Sequence, residues 1–221
     1  MEAKLAAKGQ WLHPRPIEVT RKTALYNDRM PTLTRCPWSL KNPLLSAYHD
    51  QEWGVPLRDN RKLFELLLLE GAQAGLSWDT ILAKRSNYRR AFDRFDPVKM
   101  ARYDAAKIQS LMADSGIVRN RLKIESAIGN ARAYLDLHSS GTDFSELLWD
   151  YVDHKPLRNA WQRAEQVPAS TPVSAAISKE LKRRGFRFVG STIVYSFMQA
   201  AGMVNDHLLS CFRYCAVDEG A

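Results

Sequence analysis

The sequence predicts an all-α protein. From Arg61 onward, apolar residues recur at three- and four-residue intervals. Helix-starting pairs such as Asp96-Pro97 and Thr171-Pro172 punctuate that pattern. No alternating run bounded by turns reads as a strand.

Taken in order, residues 1–33 show neither a helical nor a strand period, and Pro14, Pro16 and Pro31 argue against regular structure. Lys4, Lys8, Arg15, Arg21, Lys22 and Arg29 outnumber Glu2, Glu18 and Asp28, which predicts a flexible basic extension ahead of one folded domain over 34–216. Asp59 or Asn60 can cap a helix through Leu63, Phe64, Leu67, Leu68 and Gly71. Ser77 or Asp79 can start the next, through Ile81, Leu82, Tyr88, Ala91 and Phe92. Asp96-Pro97 opens a helical stretch that carries Leu111 and Met112 and ends near Gly116, read as a C-cap. A long helix through Ile124, Ile128, Ala131 and Leu135 stops before Ser139-Ser140-Gly141, and a short one covers Phe144 to Val152. Asp153 to Ala169 read as an irregular connector. Thr171-Pro172 then begins a helix that runs to Arg184 and is stopped by Gly185.

At 221 residues the chain is long enough to bury a substantial core. A net charge of +8 points towards a polyanionic partner. No apolar run approaches the roughly 20 residues that span a bilayer, and Met1 to Leu12 is broken by Glu2, Lys4 and Lys8, so no secretory segment is expected. Cys36, Cys211 and Cys215 cannot build a disulfide framework and suit a reducing compartment. A soluble, intracellular, cytoplasmic protein is expected.

Three groups of residues carry chemistry. In the first, Gly185-Phe-Arg-Phe-Val-Gly190-Ser-Thr192 leads from a basic stretch (Lys182, Arg183, Arg184, Arg187) into an apolar helix. A glycine there permits close approach, and the first amides of the following helix lack partners, as a phosphate site requires. The same pattern is also that of an ordinary inter-helix turn with a solvated basic cap. The second group pairs Cys36 and His49 with His207-x-x-x-Cys211, a spacing that puts two metal-capable side chains on one face of a helix. Two thiolates and two imidazoles make a closed tetrahedral set that would pin the start of the domain to its end; core histidines and free thiols fit the spacing equally. Cys215 could in principle replace Cys211. The third is aromatic with one acid: Trp38, Tyr48, Trp53, Glu70 and Trp78. Such a set can stack on a flat cationic ring while the carboxylate reads its N–H groups. Core tryptophans and a solvent-facing Glu70 are the plainer alternative.

Together these residues carry a resemblance. Cys36-Pro-Trp38, Tyr48-His-Asp-x-Glu52-Trp53-Gly54-Val55-Pro56, Leu69-Glu70-Gly71-Ala-Gln73-Ala-Gly75-Leu76-Ser77-Trp78, Ile128-Gly-Asn-Ala-Arg132-Ala-Tyr134, and Phe188-Val-Gly-x-Thr192 through Gln199 to Val204-Asn-Asp-His207 resemble the 3-methyladenine DNA glycosylase I family. That family belongs to the helix-hairpin-helix glycosylase superfamily. The similarity runs in order from Arg35 to Tyr214.

The resemblance implies a helix-hairpin-helix fold and an enzyme that flips 3-methyladenine, with 3-methylguanine a further candidate, out of double-stranded alkylated DNA. The enzyme then hydrolyses the N-glycosidic bond. It implies that Glu70 reads the base, and that Trp38, Tyr48, Trp53 and Trp78 form its pocket. Gln73, Gly75 and Leu76 would press into the gap, while Arg187, Gly190, Ser191 and Thr192 grip phosphate. Cys36, His49, His207 and Cys211 are implied as ligands of one structural zinc (Zn2+). A monomer without an obligate protein partner, acting away from membranes, is expected. Asp206 stands near the place where many superfamily members carry a catalytic aspartate, but this family is thought not to use one in that way. No lysine lies between Phe188 and Asp206 to form a Schiff base.

Overall fold

The computed structural model describes residues 33–217. The extension expected over 1–33 therefore lies, but for Leu33, outside the described residues. Within them the chain is helical almost throughout: α1 (Pro43–Gln51), α2 (Asn60–Gln73), α3 (Trp78–Ala91), α4 (Pro97–Met100), α5 (Ala105–Ala113), α6 (Arg121–Ser139), α7 (Phe144–Trp149), α8 (Pro172–Arg183), α9 (Ser191–Ala200) and α10 (Arg213–Ala216). All-α is the observed class.

Helix α2 is the centre of the packing. Asp59 caps it by accepting from the Lys62 amide, and its residues Leu67 to Ala72 are all buried. Such burial follows from neighbours on several sides, since α3, α6, α7 and α9 all pack on it. The core continues through Phe64, Ile81, Leu111, Ile124, Phe144, Trp149, Val194 and Phe197. Trp149 is fully buried and satisfies its indole by donating to the Leu57 carbonyl at 2.9 Å.

Helices α8 and α9 lie against one another, joined by the hairpin 184–190. Thr171 caps α8, with Ser174 reciprocating. Gly185, at φ +90°, ends it in the left-handed conformation that only glycine adopts readily. The hairpin then meets α2 at Gly71, where a Cβ would stand 3.2 Å from both Cβ and O of Phe188. Gly71 is thus the notch into which the hairpin seats.

The structure corrects several expectations. Helix α1, with the 3-10 turn Pro37–Lys41 before it, precedes the first helix read from the sequence. Asn42 accepts from the Leu45 amide and Pro43 follows it, so the start signal was present in the chain. The stretch after Asp96 is two helices, because Asp104 caps a new start at Ala105. Gly116 is not a left-handed C-cap; its amide donates to Asp114 Oδ1 in a side-chain turn. The connector contributes a two-residue strand, Leu157–Arg158, which pairs in parallel with Val204–Asn205. These segments are too short to show a period. Finally, His207 and Cys211 sit in the loop between Val204–Asn205 and α10, not on a helix face.

Candidate functional site

The aromatic set and its acid converge. Trp38, Tyr48, Trp53, Glu70, Gln73 and Trp78 line one cavity of about 320 Å³, large enough for a purine. The 3-10 turn supplies Trp38, α1 supplies Tyr48, α2 supplies Glu70 and Gln73, and Trp78 opens α3. Trp38 meets Trp53 edge-on at 5.1 Å between ring centroids, and Tyr48 meets Trp78 at 5.4 Å.

Glu70 does not face solvent: it is 4% exposed, and its Oε2 has no hydrogen-bond partner among the described residues. Burial raises its pKa from 4.5 to about 8, since the charged form has lost water and gained nothing. A lone, unsatisfied carboxyl inside an aromatic cavity is costly to the fold and typical of a binding or catalytic group. Trp78 Nε1 is a second buried polar atom on the cavity's lining without a partner among the described residues.

Glu70 and Gln73 also border a second hollow of about 300 Å³, shared with Ala74, Gly75, Leu76, Thr192, Ile193 and Ser196. The loop after α2 and the start of α9 therefore flank a groove that ends at the same carboxyl. Leu76 is 42% exposed, so its side chain stands out into this groove's surroundings. Gly75 reaches φ +76°, which the turn requires.

The expected phosphate group is brought together only in part. Gly190 is the N-cap of α9, and beyond its two chain neighbours no atom of the described residues lies within 4 Å of the space its side chain would occupy. Ser191 lines a cleft with Lys179 and Lys182, whereas Arg187 lies exposed on the hairpin outside that cleft. Lys179 escaped the sequence reading; it precedes Lys182 by three residues, one helical turn.

Behind the aromatic cavity, Cys36, His49, His207 and Cys211 form one buried group whose ligand atoms all lie within 4.8 Å of one another. This arrangement could hold a metal ion. His207 Nδ1 stands 3.7 Å from Cys36 Sγ and 3.6 Å from Cys211 Sγ, and His49 Nε2 stands 3.4 Å from Cys211 Sγ. The other ring nitrogens are engaged: His207 Nε2 with the Trp53 carbonyl at 3.2 Å, His49 Nδ1 with Asp50 at 2.8 Å. Arg35 in turn clamps Asp50 through a two-pronged contact at 2.8–3.0 Å and holds that carboxyl below its usual pKa. Both imidazoles are thus oriented by second partners, as in metal sites. Amides of Leu208 and Arg213 donate to the Cys36 and Cys211 sulfurs. Gly54, at φ +81°, permits this closeness, since a Cβ there would lie 2.8 Å from His207 Nε2. Cys215 is exposed and lies outside the group.

Two cavity features were not read from the sequence. Ala164 and Val167 of the connector form part of the wall. Asp206, also on the wall, is buried and accepts four hydrogen bonds at 2.7 Å: from Asn159 and Trp161 on one oxygen, and from Tyr195 and Gln199 on the other. Its lone pairs are spent on fixing the connector to α9. Only the mix of aromatic and amide residues in the connector hints at this.

Comparison with known proteins places the chain in a family. Residues 38–214 match the sequence model of the methyladenine glycosylase family. The DNA-3-methyladenine glycosylase 1 of Escherichia coli is 52% identical over 182 residues, 82% of this chain and 97% of that protein. A crystal structure of 3-methyladenine DNA glycosylase I superposes with a TM-score of 0.80 at 50% identity, covering 81% of this chain and 98% of the other. A second, of a tyrosine-to-phenylalanine variant in complex with 3-methyladenine, gives 0.77 at 39% identity, over 80% and 96% of the two chains. An aromatic cavity closed by a buried glutamate, on a helical frame shared over nearly the whole length of these relatives, leads to one assignment: the chain belongs to the methyladenine glycosylase family.

Proposed function

We propose that this chain is a monofunctional DNA glycosylase of base-excision repair, which flips 3-methyladenine out of duplex DNA and hydrolyses its N-glycosidic bond. The observation that carries this reading is Glu70, buried and unpartnered where an aromatic cavity meets a groove. Methylation at N3 makes the base a cation, already a good leaving group that needs no strong general acid. The task left to the protein is recognition. The cage of Trp38, Tyr48, Trp53 and Trp78 attracts the desolvated cation by up to about 2 kcal/mol or more, a gain that neutral adenine lacks. Glu70 accepts from the base N–H groups and neutralises its charge. Burial that raises the Glu70 pKa in the empty cavity is reversed when a cation arrives beside it, so binding releases a proton.

On this reading Leu76 fills the gap left by the flipped nucleotide, with Gln73 and Gly75 shaping the turn behind it. Flipping costs a few kcal/mol, less for a damaged base. The α8–hairpin–α9 unit is a helix-hairpin-helix, in which Gly190, Ser191 and Thr192 present amides to phosphate while Arg187, Lys179 and Lys182 add charge. The buried Cys/His group holds one structural zinc. Zinc–sulfur bonds of about 2.3 Å and zinc–nitrogen bonds of about 2.0–2.1 Å give a tetrahedral S···N edge of about 3.5 Å, which the 3.4–3.7 Å separations match. Four protein ligands leave no open position for water, so the ion supplies structure and no chemistry. Two ligands adjoin cage residues in sequence, Cys36 near Trp38 and His49 beside Tyr48, so the ion steadies the cage.

A duplex with one 3-methyladenine tests the proposal. Free base should appear while the strand stays whole until alkali breaks the abasic site. Strand cleavage without alkali, or no base release, would refute it.

A further inference from the structure

Helix α6 carries a motif, Ile128-Gly-Asn130-Ala-Arg132, for which neither the base cavity nor the phosphate grip has a use. Its polar members point to a role. Asn130 is 3% exposed and brackets the backbone of Arg187, its Nδ2 donating to the Arg187 carbonyl at 3.0 Å and its Oδ1 accepting from the Arg187 amide at 2.8 Å. Seven residues earlier, Lys123 Nζ donates to the carbonyls of Ala72 at 2.8 Å and Ala74 at 2.6 Å, the open end of α2 where the Leu76 turn begins. Two residues seven apart lie on the same helix face, about 10.5 Å from one another along the axis.

We infer that α6 sets the spacing between the Leu76 turn and the Arg187–Thr192 hairpin, with Lys123 and Asn130 as its two positioning residues. This rests on the reading of those two segments as DNA contacts. Each segment needs holding. Phe188 sits at φ +54°, a strained conformation for a bulky residue, which persists only where its surroundings over-determine it. Asn130 fixes the residue before Phe188, Ser178 Oγ donates at 2.6 Å to the carbonyl of Val189 after it, and Gly71 receives it from below. The Leu76 turn has a single internal backbone bond, from the Leu76 amide to the Gln73 carbonyl at 2.6 Å, and the ammonium of Lys123 tethers its root. Lys123 is partly buried there, which lowers its pKa, and its ammonium is satisfied by the two carbonyls it tethers. A duplex that is bent or opened must meet the wedge and the phosphate grip at once; one rigid helix touching both gives them a fixed separation.

Lys123→Met, which keeps the aliphatic stem, and Asn130→Asp, which keeps the acceptor and loses the donor, test this in the full chain. Three measurements are compared with the parent: quenching of cavity tryptophan fluorescence by free 3-methyladenine, single-turnover excision from a duplex, and excision from a lesion in an unpaired bulge. The inference predicts, for both variants, free-base affinity within about twofold and a fall of tenfold or more on duplex, and for Lys123→Met less than threefold on the bulge, which needs no wedge. Unchanged excision from duplex, or a loss of free-base affinity in step with excision, would overturn it. Leu76→Ala and Arg187→Ala separate the two levels: if these also excise from duplex at the parent rate, the DNA-contact reading is at fault and the inference loses its ground. If they are impaired while Lys123→Met and Asn130→Asp are not, α6 alone is misassigned.

Discussion

Replacing Glu70 by Gln preserves shape and removes charge. Two consequences can be worked from the structure. The first concerns catalysis. A carboxylate about 4 Å from a cation contributes about 4 kcal/mol at an effective dielectric of 20, and a charge-assisted hydrogen bond about 1.5–3 kcal/mol. At about 1.4 kcal/mol per tenfold, excision of 3-methyladenine should fall by roughly one to three powers of ten. The second concerns pH. Glu70 has a folded-state pKa of about 8 against 4.5 for the free side chain, so between these values the folded protein binds more protons than the unfolded one. Stability is therefore highest below the lower value and declines as pH rises to the upper, by about 3 kcal/mol at pH 7. Glutamine exchanges that sloping penalty for a flat one, an unpartnered amide costing about 1–3 kcal/mol. The slope of Tm against pH, more than its level, should thus differ between the proteins. Activity should mirror it: if the carboxylate is the working form, kcat/KM rises with pH towards an apparent pKa near 8 in the parent and is flat in the variant. The assay is single-turnover base release from a duplex at pH 6 to 9, alongside thermal melts over the same range. Equal rates in both proteins, or parallel pH slopes, would show that the reasoning about Glu70 is wrong.

Chelation of the proposed zinc should lower Tm, because the Cys36/His49/His207/Cys211 group joins the start of the folded chain to its end; elemental analysis showing no zinc in folded protein would count against it. Cys215→Ser should leave metal content unchanged, as the side chain lies outside the buried group. Arg187→Ala and Lys182→Ala should each weaken binding to damaged and undamaged duplex alike and reduce the salt slope by about 1; a variant that lost discrimination while keeping affinity would contradict the phosphate assignment. Gly129 lies inside α6, and beyond its two chain neighbours and the helix's own backbone no atom of the described residues comes within 4 Å of the place a Cβ would take. It should accept alanine with a gain of about 0.5–1 kcal/mol, or roughly 1–4 °C in Tm; a lower Tm would show that the space is not open.

What the sequence disclosed, and what it withheld, follows from the range of the forces involved. Helices with strong local signals were legible: Asp59 before α2, Thr171-Pro172 before α8 and Gly185 after it are contacts within one turn. Helix α1 was missed because its apolar stripe is thin, although Asn42-Pro43 marked its start. The Leu157–Arg158 strand exists only because Val204–Asn205 runs beside it, a partnership invisible from either segment alone. Of the site, the resemblance pointed to the aromatic set, its acid and the Cys/His group, where spacing alone left plainer alternatives open; the structure brings each set together. The i,i+4 argument put His207 and Cys211 on one helix face, whereas turns in a loop bring them together. Asp206 and its four donors come from three separate segments, and Lys123 and Asn130 act on backbone atoms far along the chain. Contacts of that kind leave no spacing to read.

The central claim is that the cavity selects a cationic adenine by combining ring faces with one acceptor. Its most direct measurement is the chromatographic profile of free bases released from DNA treated with a methylating agent. The account predicts release of 3-methyladenine with unmodified adenine retained, because neutral adenine gains no cation–π attraction. It predicts that 7-methylguanine is retained too, since that cation presents a carbonyl where adenine presents an amino group, and Glu70 in the carboxylate form that pairs with a cation can only accept. Release of 7-methylguanine at a rate like that of 3-methyladenine, or release of unmodified adenine, would contradict the role given to Glu70 and the rings around it.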